Sequence, residues 1–391
     1  MRILHTADWH LGKTLEGRSR LEEQAAFLDE LVLLIKDEQI DLILMAGDVY
    51  DTVNPSAAAE QLFYDAIVRM TQDGNVPIVA IAGNHDNPDR LTAAHPLSQR
   101  YGIHLSGLPS IQPVELEVGA YGERAVIIPF AYPSESRLKT LLAREADEAQ
   151  LQQAYADHVG MLMQQASRSF QPQAVNVIMS HLFVLGGQET QSVERPIQVG
   201  GAYTVSPRAF EVGAHYTALG HLHRPQTMKS ETPIRYSGSP LAYSFSEAGQ
   251  AKSVTIVEAV AGKPVQVSER VLSAGKPLVK WHAPEGLPQV YTWLLEGRDA
   301  EAWIDLSVHV TEALHMEEIH QLRKSHAGLI HIRPIFPEMV ASSREQQRTG
   351  LPLPELFRQF YRQQTGGAEA EDALVDLFLE LIDEENEGEE R

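Results

Sequence analysis

The chain has 391 residues, enough for two or three domains at the ~100–200 residues usual for one, and its 43% hydrophobic and 22% charged content excludes global disorder. No apolar run approaches the roughly 18 residues a membrane span needs, and the absence of cysteine excludes disulfides, thiolate nucleophiles and cysteine-ligated metal clusters. The 53 acids against 32 bases leave a net charge of −21, which taken alone disfavours nucleic acid, because counterion release needs basic side chains on phosphates.

The opening Met1–His5 runs directly into a strand-like segment, Arg2–Ala7, and predicts no signal peptide. Leu21–Ile35 carries apolar residues at Leu21, Ala25, Leu28, Val32 and Ile35, a helical stripe. Asp41–Ala46 reads as a buried strand, Ala57–Met70 as a helix with Leu62, Phe63, Ala66, Ile67 and Met70 on one face, and Val76–Ala82 as a further strand. Strands alternating with helices predict an α/β sheet covered by helices. Ala125–Pro129, Val175–Ser180, Tyr216–Leu219, Ile234–Ser237 and Ser253–Glu258 continue the strand series, with a mainly helical stretch over Leu138–Arg168 and a long loop over Gly186–Tyr203. From Lys276 the pattern changes to a smaller α/β unit: strands Leu278–Trp281, Trp303–Val310 and Leu329–Phe336, and a helix His315–Ser325 with Met316, Ile319 and Leu322 inward. Pro337–Pro352 reads as a linker. It leads to two amphipathic segments, one marked by Leu356, Phe357, Phe360 and Tyr361, the other by Leu374, Leu377, Phe378 and Leu381. Residues Thr365–Arg391 hold 11 acids and one base, so about half of the net charge sits in this tail.

Five short motifs each follow a predicted strand: Asp8-Trp9-His10, Gly47-Asp48-Val49-Tyr50-Asp51, Gly83-Asn84-His85-Asp86, Ser180-His181 and Gly220-His221-Leu222-His223. The carboxyl ends of strands are where α/β sheets collect ligands. Singly, each motif reads as a turn with a satisfied histidine; five in series read as a two-metal site. Asp and His offer oxygen and imidazole donors suited to divalent first-row metals. Two such ions ~3.5–4 Å apart stabilise both the attacking and the leaving oxygen of a phosphoryl displacement. The glycines before Asp48, Asn84 and His221 fit tight turns. Gly12-Lys13-Thr14 imitates the end of a P-loop, but Ala7 stands where the required glycine would be, so ATP binding by this chain is rejected. Lys13, Arg18 and Arg20 read as phosphate contacts or as a solvated loop, and the other eleven histidines, His5 and His104 among them, as structural or surface residues.

The set resembles the calcineurin-like metallophosphoesterases. Within them, Met1–Gly12, Ala46–Asp51, Ala82–Asp86, Ala218–Arg224 and Tyr236–Pro240 are similar to the nuclease subunits of bacterial ATPase–nuclease complexes. Tyr50 stands where those subunits commonly have Phe, and Asp86 where the phosphoprotein phosphatases usually have Glu. The resemblance implies a sandwich of two central β-sheets flanked by helices, with a small α/β capping domain and C-terminal helices. Its domains would be a nuclease domain over 1–275, the cap over 276–336, a linker over 337–352 and an acidic partner-binding segment over 353–391. Also by resemblance, Asp8, His10, Asp48 and His223 would hold one ion, and Asp48, Asn84, His181 and His221 the other, most readily Mn²⁺. His85 would protonate the leaving oxygen, with Asp51 and Asp86 orienting a ligand or capping turns. The implied activity is 3′→5′ digestion of duplex DNA ends and cleavage of hairpins or blocked ends, in the cytoplasm. A coiled-coil ATPase would be the partner, two copies of each, with the nuclease subunits paired and no membrane involved. A small-molecule phosphodiesterase or phosphatase on the same ions is the alternative, and a non-catalytic scaffold the rival from another class.

Overall fold

The computed structural model describes residues 1–134, 148–188, 204–336, 353–364 and 370–379. The chain divides into two compact units, Met1–Lys276 and Pro277–Arg391. The first holds two six-stranded sheets. One runs in the order Gln266–Val271, Ser253–Glu258, Arg2–Thr6, Leu42–Ala46, Ile78–Ile81, Ile103–Ser106; the other runs Gln226–Thr227, Ile234–Tyr236, Tyr216–Gly220, Val175–His181, Glu123–Phe130, Val114–Val118. The four strands from Arg2–Thr6 to Ile103–Ser106 are mutually parallel, as are the four from Ile234–Tyr236 to Glu123–Phe130; antiparallel strands close three of the four edges.

The parallel strands read as continuous apolar runs because they are covered on both faces. Leu42–Ala46 is buried at every position. One core joins the two sheets and reaches the helices outside the first, combining Ile3, Leu44 and Val79 with Val177, Met179 and Ala218 and with Phe27, Leu31 and Phe63. A second core lies between the other sheet and the helix Glu148–Ala166, through Ile178, Leu219, Val159 and Met163. The expected α/β sandwich of two sheets flanked by helices is therefore the fold of this unit.

Several local expectations change. The helix Leu21–Asp37 buries Gln24, Phe27, Leu28, Leu31 and Ile35, so the inward face is turned from the predicted stripe, and Leu21, Ala25 and Val32 are only half-buried. Four strands absent from the expected series, Ile103–Ser106, Val114–Val118, Gln226–Thr227 and Gln266–Val271, are the four sheet edges. Part of the predicted Leu138–Arg168 helix, most of the Gly186–Tyr203 loop and the whole Pro337–Pro352 linker lie outside the described residues.

In the second unit, strands Leu278–Ala283, Trp303–His309 and Leu329–Ile335 form a parallel sheet in that order, with helices Leu287–Leu295 and Met316–Ser325 as crossovers. Trp281, Val290, Ile304, Leu306, Leu322 and Leu329 make its core. The first crossover helix is an addition to the expected elements, although Gly286 before it and Pro288 inside its first turn are a start signal. Leu322 faces inward as expected, but Met316 is 81% exposed. It is the first residue of helix Met316–Ser325, directly after the His315 cap, whose N–H donates to Glu318 Oε2 at 2.8 Å.

Helix Leu353–Gln364 and the helical residues 372–379 pack on one another. Phe357 stacks on Phe378 with ring centroids 4.0 Å apart, and Arg358 bridges to Asp372 at 2.6 Å. The tail stripe is therefore partly covered by its own neighbour. Val375 is the buried residue, whereas Leu377 is 51% exposed and Phe360 56%; Leu381 lies outside the described residues.

Candidate metal centre

Loops leaving adjacent strand ends converge at one edge of the sandwich. The segments after Arg2–Thr6 and Leu42–Ala46 run side by side, the N–H groups of Asp8, His10 and Leu11 donating to the carbonyls of Gly47, Asp48 and Val49 at 2.9–3.0 Å. This pairing places Asp8 and His10 beside Asp48. The geometry is strained: Asp8, His10, Asp48 and His221 all have positive φ, between 46° and 102°. Such conformations cost non-glycine residues about 1–3 kcal/mol each and gather at functional sites.

The glycines in these loops serve close approach more than turning. A Cβ on Gly83 would lie 2.0 Å from Asp48 Oδ1, and one on Gly220 would lie 1.9 Å from the Ala46 carbonyl. Of the glycines before Asp48, Asn84 and His221, Gly47 alone, at φ +90°, combines a left-handed backbone with such crowding, there against the His181 ring. Thus the tight-turn expectation holds at Gly47, while Gly83 and Gly220 are small because another strand end passes against them.

All seven predicted ligand residues meet here. Asp48 is at the middle: its Oδ2 lies 3.3 Å from His181 Nε2 and 3.6 Å from His10 Nε2, while its Oδ1 accepts the His85 N–H at 2.9 Å. On one side, His10 Nε2 faces His223 Nε2 at 3.1 Å. Asp8 Oδ1 accepts the His221 N–H at 2.9 Å, leaving a buried Oδ2 with no hydrogen-bond partner. On the other side, Asn84 Oδ1 lies 2.9 Å from His181 Nε2 and 3.2 Å from His221 Nδ1. Among the described residues, Asp8, His10 and His223 form one cluster able to hold a metal ion, Asp8, Asp48 and His181 another, and His10, Asp51 and His85 a third at the margin.

The donor chemistry fits divalent cations. His181 Nδ1–H donates to the Ala46 carbonyl at 2.8 Å, which leaves Nε2, facing Asp48 and Asn84, as the nitrogen on which a metal ion would replace the proton. Burial drives the imidazoles of His10 and His221 down to about 3, so both are neutral donors at physiological pH. Burial pushes the Asp8 carboxyl up to about 6. Against the same effect of burial, the His181 ring holds Asp48 well below the usual carboxylate range, and Asp48 in turn raises His181 to about 9. An orphaned carboxylate oxygen beside facing imidazole nitrogens is a donor set that a cation would satisfy.

His85 sits at the margin, its Nδ1 donating to the Asp51 carbonyl at 2.7 Å and its ring 4.8 Å from that of His10. Asp51 Oδ1 faces His10 Nδ1 at 3.5 Å and accepts from Lys13 Nζ at 2.6 Å. Asp86 clamps backbone: its carboxylate accepts the N–H groups of Val49, Tyr50 and Gly83 at 2.8–3.1 Å, tying the Asp48 loop to the His85 loop. One basic residue is corrected. Arg20 is neither a DNA contact nor a solvated residue; it is 1% exposed and bonded to Glu23 and the Ala242 carbonyl. Lys13 is tied to Asp51. Gly12, at the end of the false P-loop, has its N–H on Gln24 Oε1 at 2.9 Å.

With this geometry in hand, comparisons with known proteins agree. Residues 1–225 match the family described as calcineurin-like phosphoesterase. The chain is 55% identical over 382 residues to a Bacillus subtilis (strain 168) protein named as the SbcD component of the nuclease SbcCD, covering 97% of each. It is 35% identical over 274 residues to the Rhodobacter capsulatus protein of the same name, covering 67% of each. Among solved structures, a dimetal phosphatase from Danio rerio aligns with 69% of this chain and 96% of its own, at 13% identity and a TM-score of 0.40.

The chain belongs to the calcineurin-like phosphoesterases, in the SbcD group. As a calcineurin-like phosphoesterase it is a metal-dependent phosphodiesterase, and the Asp/His cluster at the sheet edge is its candidate dimetal site. Two supporting residues of this phosphoesterase site had no sequence signal. Gln24 is fully buried and donates from Nε2 to the His10 carbonyl at 3.1 Å, anchoring the first ligand loop. Tyr243 lies edge-on to both His10 and His223, at 5.6 and 6.0 Å, and its hydroxyl donates to the Trp9 carbonyl. Neither has a spacing that would mark it: Gln24 comes from the following helix, 14 residues after His10, and Tyr243 from 234 residues after Trp9.

Proposed function

We propose that this chain is the nuclease subunit of an ATP-dependent DNA exonuclease, 3′→5′ on duplex ends, and of a structure-specific endonuclease that opens hairpins and blocked ends in repair and recombination. The observation that supports it most is the central carboxylate of Asp48, facing His10 and His181 from one oxygen, in a chain so similar to proteins named as the SbcD component of the nuclease SbcCD. Asp8, His10, Asp48 and His223 would hold one ion and Asp48, Asn84, His181 and His221 the other, with Mn²⁺ the favoured metal. When bound, the pair supplies Lewis-acid activation and neutralises charge at the phosphate.

The remaining work falls to the chain itself. His85 has its Nδ1–H committed to the Asp51 carbonyl, so its exchangeable acid proton is on Nε2. From there it would protonate the leaving deoxyribose oxygen as water adds to phosphorus and the P–O bond to that oxygen breaks. The His85 N–H on Asp48 Oδ1 and the Asp86 clamp keep that ring in register with the ligands. The partner would be an SbcC-like coiled-coil ATPase, two copies of each, with the nuclease subunits paired so that two sites face one duplex. Residues 1–275 would be the nuclease domain, 276–336 a cap, and 353–391 the partner-binding segment. The location that follows is cytoplasmic, at the nucleoid through DNA; no helix among the described residues is long and apolar enough to cross a membrane.

The test is to assay the purified chain with Mn²⁺ on labelled hairpin DNA and on bis-p-nitrophenyl phosphate, alone and with the coiled-coil ATPase and ATP. Hairpin opening that ATP stimulates in the complex is expected. Turnover of the small ester with DNA left intact under every condition would instead assign a small-molecule phosphodiesterase.

A further inference from the structure

His223 has a neighbour that the metallophosphoesterase reading does not call for. Glu247, in the turn Phe245–Glu247, is fully buried. Its Oε1 faces His223 Nδ1 at 3.6 Å and accepts the Tyr243 N–H at 3.1 Å. Its Oε2 accepts from the ammonium of Lys252, which is also buried. That ammonium donates in addition to the His223 carbonyl at 3.2 Å and to Ser239 Oγ at 3.1 Å. The same ion pair therefore holds the main chain of His223 and faces its ring. His223 Nδ1 is itself buried and has no hydrogen-bond partner, so the Glu247 carboxylate stands opposite an unsatisfied ring nitrogen.

A buried ion pair is weak support for stability, because taking both charges out of water offsets most of their attraction. Its place behind a metal-ligand candidate suggests another use. A histidine that binds metal through one nitrogen commonly donates the other N–H to a carboxylate, which fixes the tautomer and ring angle and strengthens the ligand. His181 has a backbone carbonyl in that position; His223 has Glu247.

We propose that Glu247, held by Lys252, is a positioning residue for His223. Closing the 3.6 Å gap to a hydrogen bond from Nδ1–H leaves the Nε2 lone pair aimed at the first cluster and places a negative charge behind it. Glu247 touches no substrate; it acts through the ligand. The inference rests on the reading of Asp8, His10, Asp48 and His223 as one metal site.

The test is Mn²⁺ titration of the full-length chain by calorimetry, with bound metal counted by atomic emission. Wild type is compared with Glu247→Gln and with the double variant Glu247→Gln/Lys252→Met, which leaves no unpaired lysine and keeps the test open where the single variant does not fold. Two ions on the wild type are expected, with one site weakened about 10–100-fold in both variants and the other unchanged. Nuclease activity should return at high Mn²⁺, and the double variant should melt near the wild-type temperature. Variants that melt early yet keep both Mn²⁺ affinities would reduce Glu247 to a structural role and overturn the proposal. A wild type that binds no Mn²⁺ would overturn the metal-site reading itself, and this inference with it.

Discussion

At the scale of single residues, proximity in the site comes from small residues as much as from ligands. Gly220 has no room for a side chain: a Cβ would press 1.9 Å from the Ala46 carbonyl and 2.9 Å from Ala7 Cβ, both on strand ends that cannot yield separately. Gly220→Ala should therefore destabilise the metal-free chain by about 1–3 kcal/mol, the usual cost of overpacking, read as a shifted denaturant midpoint with an unchanged slope. A midpoint equal to wild type would mean that the two sheets slide apart more easily than this packing implies. His85 carries the complementary expectation. Since its side-chain hydrogen bond goes to the Asp51 carbonyl and not into the Asp48 cluster, His85→Ala should keep two metal ions per chain. Its DNA cleavage should fall by the ~10²–10⁴-fold typical of a general acid. Loss of the ions together with activity would move His85 into the ligand shell.

At the scale of elements, the five motifs were legible because each follows a buried apolar strand, and runs such as Leu42–Ala46 announce themselves. Edge strands did not. Gln266–Val271 is exposed at almost every position, so no alternation of buried and exposed residues shaped its sequence. Val114–Val118 does alternate, as Val-Glu-Leu-Glu-Val, and that signal was available. The C-terminal helices show how pattern and packing part company: the stripe read from spacing includes Leu377, yet the buried residue is Val375 and the stacked one Phe378. What stays uncovered is Phe360, between Arg358 and Arg362, and Leu377, which sits among acids; the acidic stretch suits a helix-in-groove contact with a basic partner. Ending the chain after Thr349 should leave metal content and hydrolysis of a simple phosphodiester intact while abolishing co-purification with the ATPase. Leu377→Asp should weaken that association, whereas a truncated chain recovered with its partner in equal amount would make the tail only a solvated helical pair.

At the scale of the whole molecule, the two sheets share one core, and polar groups within it respond to pH. His5 lies in that core, with Nδ1 2.8 Å from the Tyr216 hydroxyl and Nε2 3.2 Å from the Leu219 carbonyl. Burial, helped by the Arg235 charge, lowers it to about 3. An unfolded histidine takes up its proton near about 6.5, so as pH falls below that value the unfolded chain gains protons that the folded chain refuses, and stability drops. Asp86, raised by burial to about 6, acts in the opposite direction over the same range, so a comparison with His5→Gln is needed. Between about pH 7.5 and pH 5 the metal-free wild type should lose about 2 kcal/mol more than the variant, measured by urea unfolding. Equal losses would show that His5 accepts a proton inside the fold.

Sequence alone determined the class of chemistry and the edge at which it occurs. Residue type dictates donor preference, and a strand covered on both faces dictates an apolar run, so Asp8-Trp9-His10 after Arg2–Thr6 or Gly220-His221-Leu222-His223 after Tyr216–Leu219 could be read in place. Tertiary structure decided which atoms meet. That Asp48 turns one oxygen to His10 and His181 and the other to His85 N–H, that Gln24 anchors the His10 loop, and that Glu247 stands behind His223 all depend on different segments of the chain folding together. No local spacing encodes those meetings. They arise because the central strands of two sheets end at the same edge, and burial there leaves each polar group only the partners that the fold delivers.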